Sequence, residues 1–245
     1  MSTIERYSPR GGDAVLPLFC FKGRTAIVSG TAAGIGLALA EALAEAGAKV
    51  RAEAIGKKRG VETAAYQVDV VFQKAVQEAV DTIASEFKNC LDIFIANSGI
   101  PWTKGAVPAA AKEGFDHYRK IIATDVDTRL HFRRQGTGSF IVPACMSGHI
   151  TIIPELQTTV IYYVKGLAVQ WAGLARANSV SPDYIATQIS DFVPKETKDI
   201  CKEKIPLHRE GLANELKGAY LYLASDAATY TTGTDIIVDR AWVLP

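Results

Sequence analysis

Short apolar runs alternate with amphipathic stretches along most of this chain. The run at residues 25–29 (TAIVS) predicts a buried strand, and the alanine- and leucine-rich stretch at residues 37–46 predicts a helix that ends at Gly47. Five apolar residues further on recur at helical spacing and predict a helix that lies on a sheet. They are Phe72, Val76, Val80, Ile83 and Phe87.

The alternation continues toward the C-terminus. Further strands are predicted at residues 91–96, 140–142, 178–180 and 235–238, and further helices at residues 160–172 and 214–224. Strands that alternate with helices form a parallel sheet covered on both faces. The pattern therefore predicts an α/β protein with a doubly wound, Rossmann-type parallel sheet. We expect an N-terminal extension at residues 1–20 and a single domain at residues 21–245.

Composition narrows the classes of partner. The 245 residues include 27 Lys and Arg against 26 Asp and Glu, so the net charge of +1 gives no field that would attract nucleic acid or an anionic membrane. The four cysteines and four histidines are scattered, which predicts neither a disulfide framework nor a metal site. No apolar run reaches the roughly 18 residues that a membrane span needs. We expect a cytoplasmic protein that acts on small molecules.

Three glycines join the first predicted strand to the first predicted helix. Gly30, Gly34 and Gly36 lie in the sequence GTAAGIG. In a dinucleotide-binding turn, one glycine permits the sharp bend, a second lets backbone N–H groups approach the pyrophosphate, and a third allows the helix to pack closely on the sheet. The turn therefore predicts a dinucleotide site, with an ordinary glycine-rich loop as the alternative.

The spacing G-x-x-x-G-x-G resembles the short-chain dehydrogenase/reductase family, whose fingerprint is TGxxxGIG. Other family motifs follow in order: Asp69-Val70 near the adenine, Asn97-Ser98-Gly99, and Ser147 in ACMSGH at the catalytic serine. Asp125 stands where the family often has a catalytic asparagine. The resemblance thus implies Ser147 and Asp125 as catalytic residues, and no metal. The cofactor-binding residues that it implies are Gly30, Thr31, Gly34, Ile35, Gly36, Asp69, Val70, Asn97, Ser98, Gly99, Pro182, Ile185 and Thr187.

The phrases NSGIPWTKG, HFRRQGTGSFI and MSGHI carry a closer resemblance. They are similar to a fungal and yeast branch of the family that contains sorbose and xylulose reductases, mannitol 2-dehydrogenases and related carbonyl reductases. This resemblance implies interconversion of a ketose or small ketone and its secondary alcohol, NADP rather than NAD as cofactor, and a homo-oligomer, either a dimer or a tetramer. An acyl-carrier-protein-type ketoreductase is the alternative enzyme, because a fold alone does not fix a substrate.

One family motif is missing. In the family, a Tyr-x-x-x-Lys motif follows the serine: the tyrosine protonates the carbonyl oxygen while hydride reaches the carbon, and the lysine lowers the tyrosine pKa. This sequence contains no Y-x-x-x-K, and the family spacing from Ser147 leads to Val160 and Val164 instead. Tyr163 and Lys165 are two residues apart, so on a helix they do not share a face and cannot replace the pair.

Two other segments are shorter than the corresponding segments of the family. The second strand, which selects NAD or NADP, is expected to be missing, because RAEAIGKKRG follows Lys49-Val50 at once, and a helix beginning near Asp125 is cut before residue 128. We interpret the three junctions, Val50/Arg51, Asp127/Thr128 and Thr159/Val160, as places where residues of the protein are missing from this sequence. The alternative is a true loss, which would leave a catalytically inactive NAD(P)-binding or scaffold protein.

Two smaller departures flank the predicted site. Asp183 follows Pro182 where the family has glycine, and Arg240-Ala241 replaces a glycine pair near the C-terminus. Aspartate adopts a positive φ less readily than glycine does. We therefore expect Asp183 to disturb the closure of the loop beside the nicotinamide.

Overall fold

A computed structural model describes residues 14–50, 67–68, 72–87, 90–99, 132–149, 158–190, 195–204, 206–241 and 243. These residues form a six-stranded sheet in which every pairing is parallel. The strands are β1 (Thr25–Val28), β2 (Lys49–Val50), β3 (Ile93–Ile95), β4 (Ser139–Pro143), β5 (Arg176–Pro182) and β6 (Asp235–Val238). The strands predicted from the apolar runs are confirmed.

The order of the strands across the sheet is β2-β1-β3-β4-β5-β6. The chain moves outward from β1 to β2 and then crosses back to β3 on the other side of β1. Loops that leave the carboxyl ends of β1 and β3 therefore diverge and open a crevice, the usual ligand position in open α/β sheets. The glycine turn follows β1 and the Asn97 loop follows β3, so both predicted cofactor segments lie at this crevice.

The described ranges contain five α-helices with defined ends and a further helical turn at residues 132–135. The helices are α1 (Gly34–Glu45), α2 (Gln73–Glu86), α3 (Thr158–Gln170), α4 (Lys195–Lys204) and α5 (Lys217–Ala224). The helices predicted near residues 37–46, 160–172 and 214–224 correspond to α1, α3 and α5. A 3-10 turn, Ala213–Leu216, forms the first part of the last predicted helix.

Two apolar cores lie on the two faces of the sheet. Leu43 of α1 and Leu223 of α5 belong to one core. Val80 of α2 and Val164 of α3 belong to the other, together with the ring of Trp171. Because both faces are covered, β1 and β3 are buried along their whole lengths. The predicted doubly wound fold is confirmed.

Two details of the fold differ from the prediction. A second strand is present at Lys49–Val50, which pairs in parallel with β1: the Lys49 N–H donates to the Arg24 carbonyl oxygen at 2.8 Å, and Val50 is fully buried. Residues 51–66, where the rest of this strand is expected to be missing, lie outside the described residues. Two residues are too few to show an apolar pattern, so only their pairing with β1 identifies them as a strand. Phe72 does not face the sheet, since it precedes α2 and is 64% exposed.

None of the helices in the described residues is long and apolar enough to cross a membrane. These residues include no group of three or more His, Cys, Asp or Glu side chains that could hold a metal ion. No disulfide bond joins Cys20, Cys90 or Cys145 to another described residue.

Candidate functional site

The glycine turn between β1 and α1 is too tight for side chains. Gly30 and Gly34 have φ angles of +68° and +61°, in the left-handed region where residues with a Cβ are strained. At Gly36 the obstacle is space, because a Cβ there would stand 2.2 Å from the Gly30 carbonyl oxygen. All three positions therefore require glycine, two because of the backbone conformation and one because of the packing.

The first turn of α1 is open to an anionic ligand. Ala33 precedes the helix and makes no side-chain hydrogen bond to it, and the first turn has no acidic residue. The first N–H groups of a helix have no partner within the helix, and they point toward any anion placed at its positive end. These features suit an anionic group such as a pyrophosphate, and the contacts predicted for Thr31, Gly34 and Ile35 stay predictions.

The loop after β3 is fastened to the glycine turn. The Asn97 side-chain amide donates to the carbonyl oxygens of Ser29 at 3.1 Å and Gly30 at 3.4 Å. The backbone N–H of Ser98 donates to the Ser29 hydroxyl at 2.8 Å. Asn97 and Ser98 therefore help to set the shape of the turn, while Gly99 lies exposed at the end of the described loop.

The segment after β5 reaches the glycine turn from another side. The Thr187 Cγ2 lies 3.3 Å from the point that a Cβ on Gly34 would occupy. Ile185 is buried and forms a parallel bridge with Gly211, which anchors the segment. The Ser190 hydroxyl donates to the Thr187 carbonyl oxygen at 2.7 Å and closes the turn. Three cofactor segments predicted far apart in the sequence thus meet at one point.

Ser147 lies in a 3-10 turn, Met146–Gly148, just beyond the carboxyl end of β4. Its hydroxyl is 3.4 Å from the Cys145 thiol. In a parallel sheet all the carboxyl ends lie at one edge, so Ser147 stands at the same edge as the glycine turn. This placement is the one that the family resemblance implies for a catalytic serine.

A side-chain network that the sequence did not reveal anchors the Ser147 turn. His149 Nε2 lies 2.6 Å from Asp235 Oδ2, and Asp235 Oδ1 accepts a hydrogen bond from the Ser179 hydroxyl at 2.5 Å. The network joins the turn after β4 to β5 and β6. His149 and Asp235 are 86 residues apart, so the sequence showed only an unclustered histidine, whose one signal was its place in the MSGH phrase.

The two positions of α3 at which the family spacing puts the tyrosine and the lysine face the core. Val160 and Val164 are 9% and 0% exposed, and both pack under the helix. Tyr162 and Lys165 lie on the outer face, where Lys165 Nζ is 5.0 Å from the centre of the Tyr162 ring. Tyr163 packs against the core. These side chains therefore form no tyrosine–lysine pair at the site.

Tyr220 offers no substitute proton donor. It belongs to the core on the face covered by α1 and α5, and among the described residues its hydroxyl has no hydrogen-bond partner. Burial, and to a lesser degree the charge of Asp235, raises the pKa of this phenol. Tyr220 is a packing residue.

The two departures from the family pattern beside the site contact each other. Arg240 Nη2 donates to Asp183 Oδ2 at 2.7 Å, and their side chains are 8% and 1% exposed. Burial raises the pKa of the Asp183 carboxyl, and the hydrogen bond from Arg240 opposes this rise. The expected disturbance by Asp183 is wrong: its φ is not positive, and Thr187 still reaches Gly34. The left-handed conformations belong to Arg240 (φ +58°) and Ala241 (φ +68°).

Three predicted site residues, Asp69, Val70 and Asp125, lie outside the described residues, and their roles stay predictions. Residue 51 and residues 127–128, at two of the predicted junctions, also lie outside them. The third junction, Thr159/Val160, falls within α3, and the helix runs through it.

The chain is similar to known proteins over most of its length. A family model described as enoyl-(acyl carrier protein) reductase matches residues 30–240. The chain is 49% identical to L-xylulose reductase of Hypocrea jecorina, over 95% of this chain and 94% of that protein. It is 42% identical to a probable NADP-dependent mannitol dehydrogenase of Yarrowia lipolytica, over 97% and 94%. The alignment with the xylulose reductase has 275 positions against 245 residues in this chain, so at least 30 residues of that relative have no counterpart here.

The fold is also similar to the solved structures of named dehydrogenases and reductases. The fold matches a short-chain type dehydrogenase/reductase from Mycobacterium marinum with a TM-score of 0.87 and 32% identity, over 95% of this chain and 100% of that one. It matches NADPH-dependent 3-quinuclidinone reductase from Rhodotorula rubra with a TM-score of 0.86 and 31% identity, over 97% and 98%. On its glycine turn, its sheet order and these similarities, the chain belongs to the short-chain dehydrogenase/reductase family.

Proposed function

We propose that the protein is an NADPH-dependent oxidoreductase that interconverts a ketose or small ketone and its secondary alcohol, a polyol. The observation that carries this proposal is the turn between β1 and α1, where three glycines permit a tight bend at the open first turn of a helix, and where Asn97 and Thr187 contact the bend. The names of two relatives, a xylulose reductase and a mannitol dehydrogenase, support the ketose and polyol pair. The test is oxidation of NADPH by the purified protein with a panel of small ketoses and ketones.

NADP is proposed over NAD. One relative is named NADP-dependent and one structural neighbour NADPH-dependent, which supports this choice. Titration of the protein with NADPH and with NADH, followed by cofactor fluorescence, tests it. We expect the tighter binding with NADPH, and tighter binding of NADH would contradict the proposal.

Ser147 is proposed to orient the substrate by donating its hydroxyl to the carbonyl oxygen, with His149 and Asp235 holding its turn in place. A bound nicotinamide cofactor supplies hydride to the carbonyl carbon, so the oxygen must also receive a proton. Asp125 remains a second proposed catalytic residue. No described side chain near Ser147 takes the place of the family tyrosine, since Val160 and Val164 face the core.

We propose that the tyrosine and lysine belong to residues missing from this sequence between Thr159 and Val160. The alignment with L-xylulose reductase, which is longer than the chain itself, supports missing segments. The intact mass of the protein isolated from its own cells tests this. We expect a mass above the 26.4 kDa of these 245 residues, whereas a mass of 26.4 kDa would contradict it.

A second candidate function is nucleotide binding without catalysis. The burial of Val160 and Val164 favours it, because it leaves the site without a proton donor from α3. A native mass of 26.4 kDa, together with NADPH binding and no turnover of any ketose, would support this candidate. Reduction of a 3-ketoacyl thioester, with no activity on ketoses, would instead support the acyl-carrier-protein-type ketoreductase.

The assembly and location are also proposals. We propose a homo-oligomer, a dimer or tetramer, that acts in the cytoplasm, with residues 21–245 as one domain. Tyr162 and Val169 are 67% and 78% exposed on the outer face of α3, which supports a subunit contact there. Light scattering tests the assembly: we expect two or four times the subunit mass, and a monomer would contradict it.

A further inference from the structure

The contact between Asp183 and Arg240 joins the ends of two neighbouring strands. Asp183 directly follows β5, and its backbone N–H donates to the carbonyl oxygen of Val238, the last residue of β6, at 3.1 Å. Arg240 follows two residues later and reaches back to the Asp183 carboxylate. Both residues stand where the family pattern has glycine, and they are 57 positions apart. Two separate departures from one pattern thus form a single contact.

Stability alone does not account for this pair. Arg240 and Ala241 both hold left-handed backbone conformations, which glycine adopts with less strain. Among the described residues, Nε and Nη1 of Arg240 are buried without a hydrogen-bond partner. A buried ion pair whose remaining donors are unsatisfied seldom repays its desolvation, and apolar or small replacements are often at least as stable. A role in geometry explains the pair better.

The geometry leads from the pair to the cofactor turn. Arg240 binds one oxygen of the Asp183 carboxylate, and the other oxygen accepts the backbone N–H of Tyr184 at 2.6 Å. The carboxylate therefore helps to orient the chain as it leaves β5, together with the Gly211 N–H, which donates to the Tyr184 carbonyl oxygen at 2.9 Å. The following residues cross Gly211, where Ala186 N–H donates to the Gly211 carbonyl oxygen at 2.9 Å. The segment ends at Thr187, in contact with the glycine turn.

We propose that Asp183 and Arg240 form a buried clasp that positions Thr187 against the phosphate-binding turn and so sets the affinity for the pyrophosphate of the cofactor. Both are positioning residues, because they act through the segment 184–187. The inference rests on the proposed function, since it assumes a nicotinamide dinucleotide on the glycine turn.

The test compares Asp183→Gly, Arg240→Gly and the double variant, which restores glycine at both positions. Each protein is titrated with NADPH and with adenosine 2′-monophosphate, a probe that carries the adenosine end of the cofactor but neither phosphate of its pyrophosphate. We expect each single variant to lose roughly tenfold in NADPH affinity, because one buried charge is left unpaired and the segment shifts. The double variant should return to within about threefold of the parent protein. The affinity for adenosine 2′-monophosphate should stay unchanged in all of them.

Two results would overturn the clasp. One is a single variant that binds NADPH as tightly as the parent protein. The other is a parallel fall in the affinities for NADPH and adenosine 2′-monophosphate, which would indicate a general structural role. Asp183→Asn covers the case in which the glycine variants do not fold, because its amide oxygen can still accept from Tyr184 or Arg240. It should bind NADPH more weakly than the parent protein, and parental affinity would count against the clasp.

A second readout needs no cofactor. Hydrogen exchange of residues 184–190 in the free protein should be faster in each single variant than in the parent protein and slow again in the double variant. Unchanged exchange in the single variants would overturn the clasp even if the proposed function is right. A parent protein that fails to bind NADPH would overturn the proposed function instead, and exchange would still decide on the clasp.

Discussion

The cofactor side and the carbonyl side of this molecule are built in different ways. On the cofactor side, the binding groups are glycines and backbone N–H groups in one short turn, held by Asn97 and Thr187. On the carbonyl side, Ser147 depends on His149 and on Asp235 of another strand. The family pattern would put the proton donor of this side on one face of α3. A binding site made of backbone groups in one turn should tolerate changes elsewhere in the chain. A catalytic side chain on a helix must instead lie on the face that the helix turns toward the substrate.

Helix α3 illustrates this dependence. Each helical residue is rotated by about 100° from the one before it, so a lost segment that is not a whole number of turns re-aims every later side chain. Val160 and Val164 now face the core, and Tyr162 and Lys165 face outward. The glycine turn belongs to β1 and α1 and does not depend on this register. Cofactor binding should therefore survive in a chain whose α3 lacks the catalytic pair.

The largest effect is expected when a tyrosine and a lysine are placed at positions 160 and 164, where the family spacing from Ser147 puts its catalytic pair. The double variant Val160→Tyr, Val164→Lys should not reduce ketoses, because both positions face the core. Val164→Lys alone should lower the free energy of unfolding by about 4 kcal/mol, because an ammonium group would be buried without a partner. Val169→Lys is the matched control: this residue of α3 is 78% exposed, so we expect a change within about 0.5 kcal/mol. Urea unfolding measures the stability of both single variants, and NADPH oxidation with ketoses measures the activity of the double variant. An active, stable double variant would refute our account of α3.

The next largest effect is expected when one methyl group is added to the glycine turn. Gly36→Ala places a Cβ 2.2 Å from the Gly30 carbonyl oxygen, so the turn must open and NADPH affinity should fall roughly a hundredfold. Gly218→Ala in α5 is the control, because its Cβ meets nothing within 4 Å. The control should bind NADPH normally and gain about 0.5–1 kcal/mol of stability. Equal NADPH affinities of the two variants, measured by titration, would contradict the packing argument.

A smaller effect should separate the two sides of the site. His149→Ala removes a partner of the Asp235 carboxylate, whose side chain is 5% exposed, and should cost about 2 kcal/mol of unfolding free energy. NADPH binding should hardly change, because the glycine turn does not contact this network. His208→Asn, at an exposed histidine with φ +51° that asparagine tolerates, is the control for stability. A large loss of NADPH affinity in His149→Ala would show that the two sides are coupled.

The smallest expected effect concerns the loop that backs Ile185. The hydrogen bond from Arg209, with a second from the Leu212 N–H, lowers the pKa of Glu215 from its ordinary 4.5 to about 2. A lowered folded-state pKa stabilises the protein above the unfolded-state pKa, and this contribution is lost as the pH falls from about 4.5 through about 2. Glu215→Gln should therefore show less acid destabilisation in that window. Thermal unfolding across this pH range checks it, and identical acid profiles would contradict it.

Local patterns were enough for most of the fold and for the cofactor turn. Strands β1 and β3 to β6 and helices α1 and α3 show in the apolar periodicity, because each buries a face with its own period. The turn shows in glycine spacing, because its function needs positive φ and close approach within seven residues. Strand β2 was not predicted from the sequence, because two residues are too few to show an apolar pattern. The absence of the tyrosine–lysine motif could also be established from the sequence alone.

The sequence by itself thus determined the family, the parallel sheet and the position of the glycine turn. Only the tertiary structure decided which distant residues support them. It joined Asp183 to Arg240, His149 to Asp235, and Thr187 to the glycine turn. It also placed the left-handed backbone at Arg240 and not at Asp183. The physical reason is that periodicity and turn chemistry act between near neighbours, whereas these contacts form between strand ends that only the sheet order brings together.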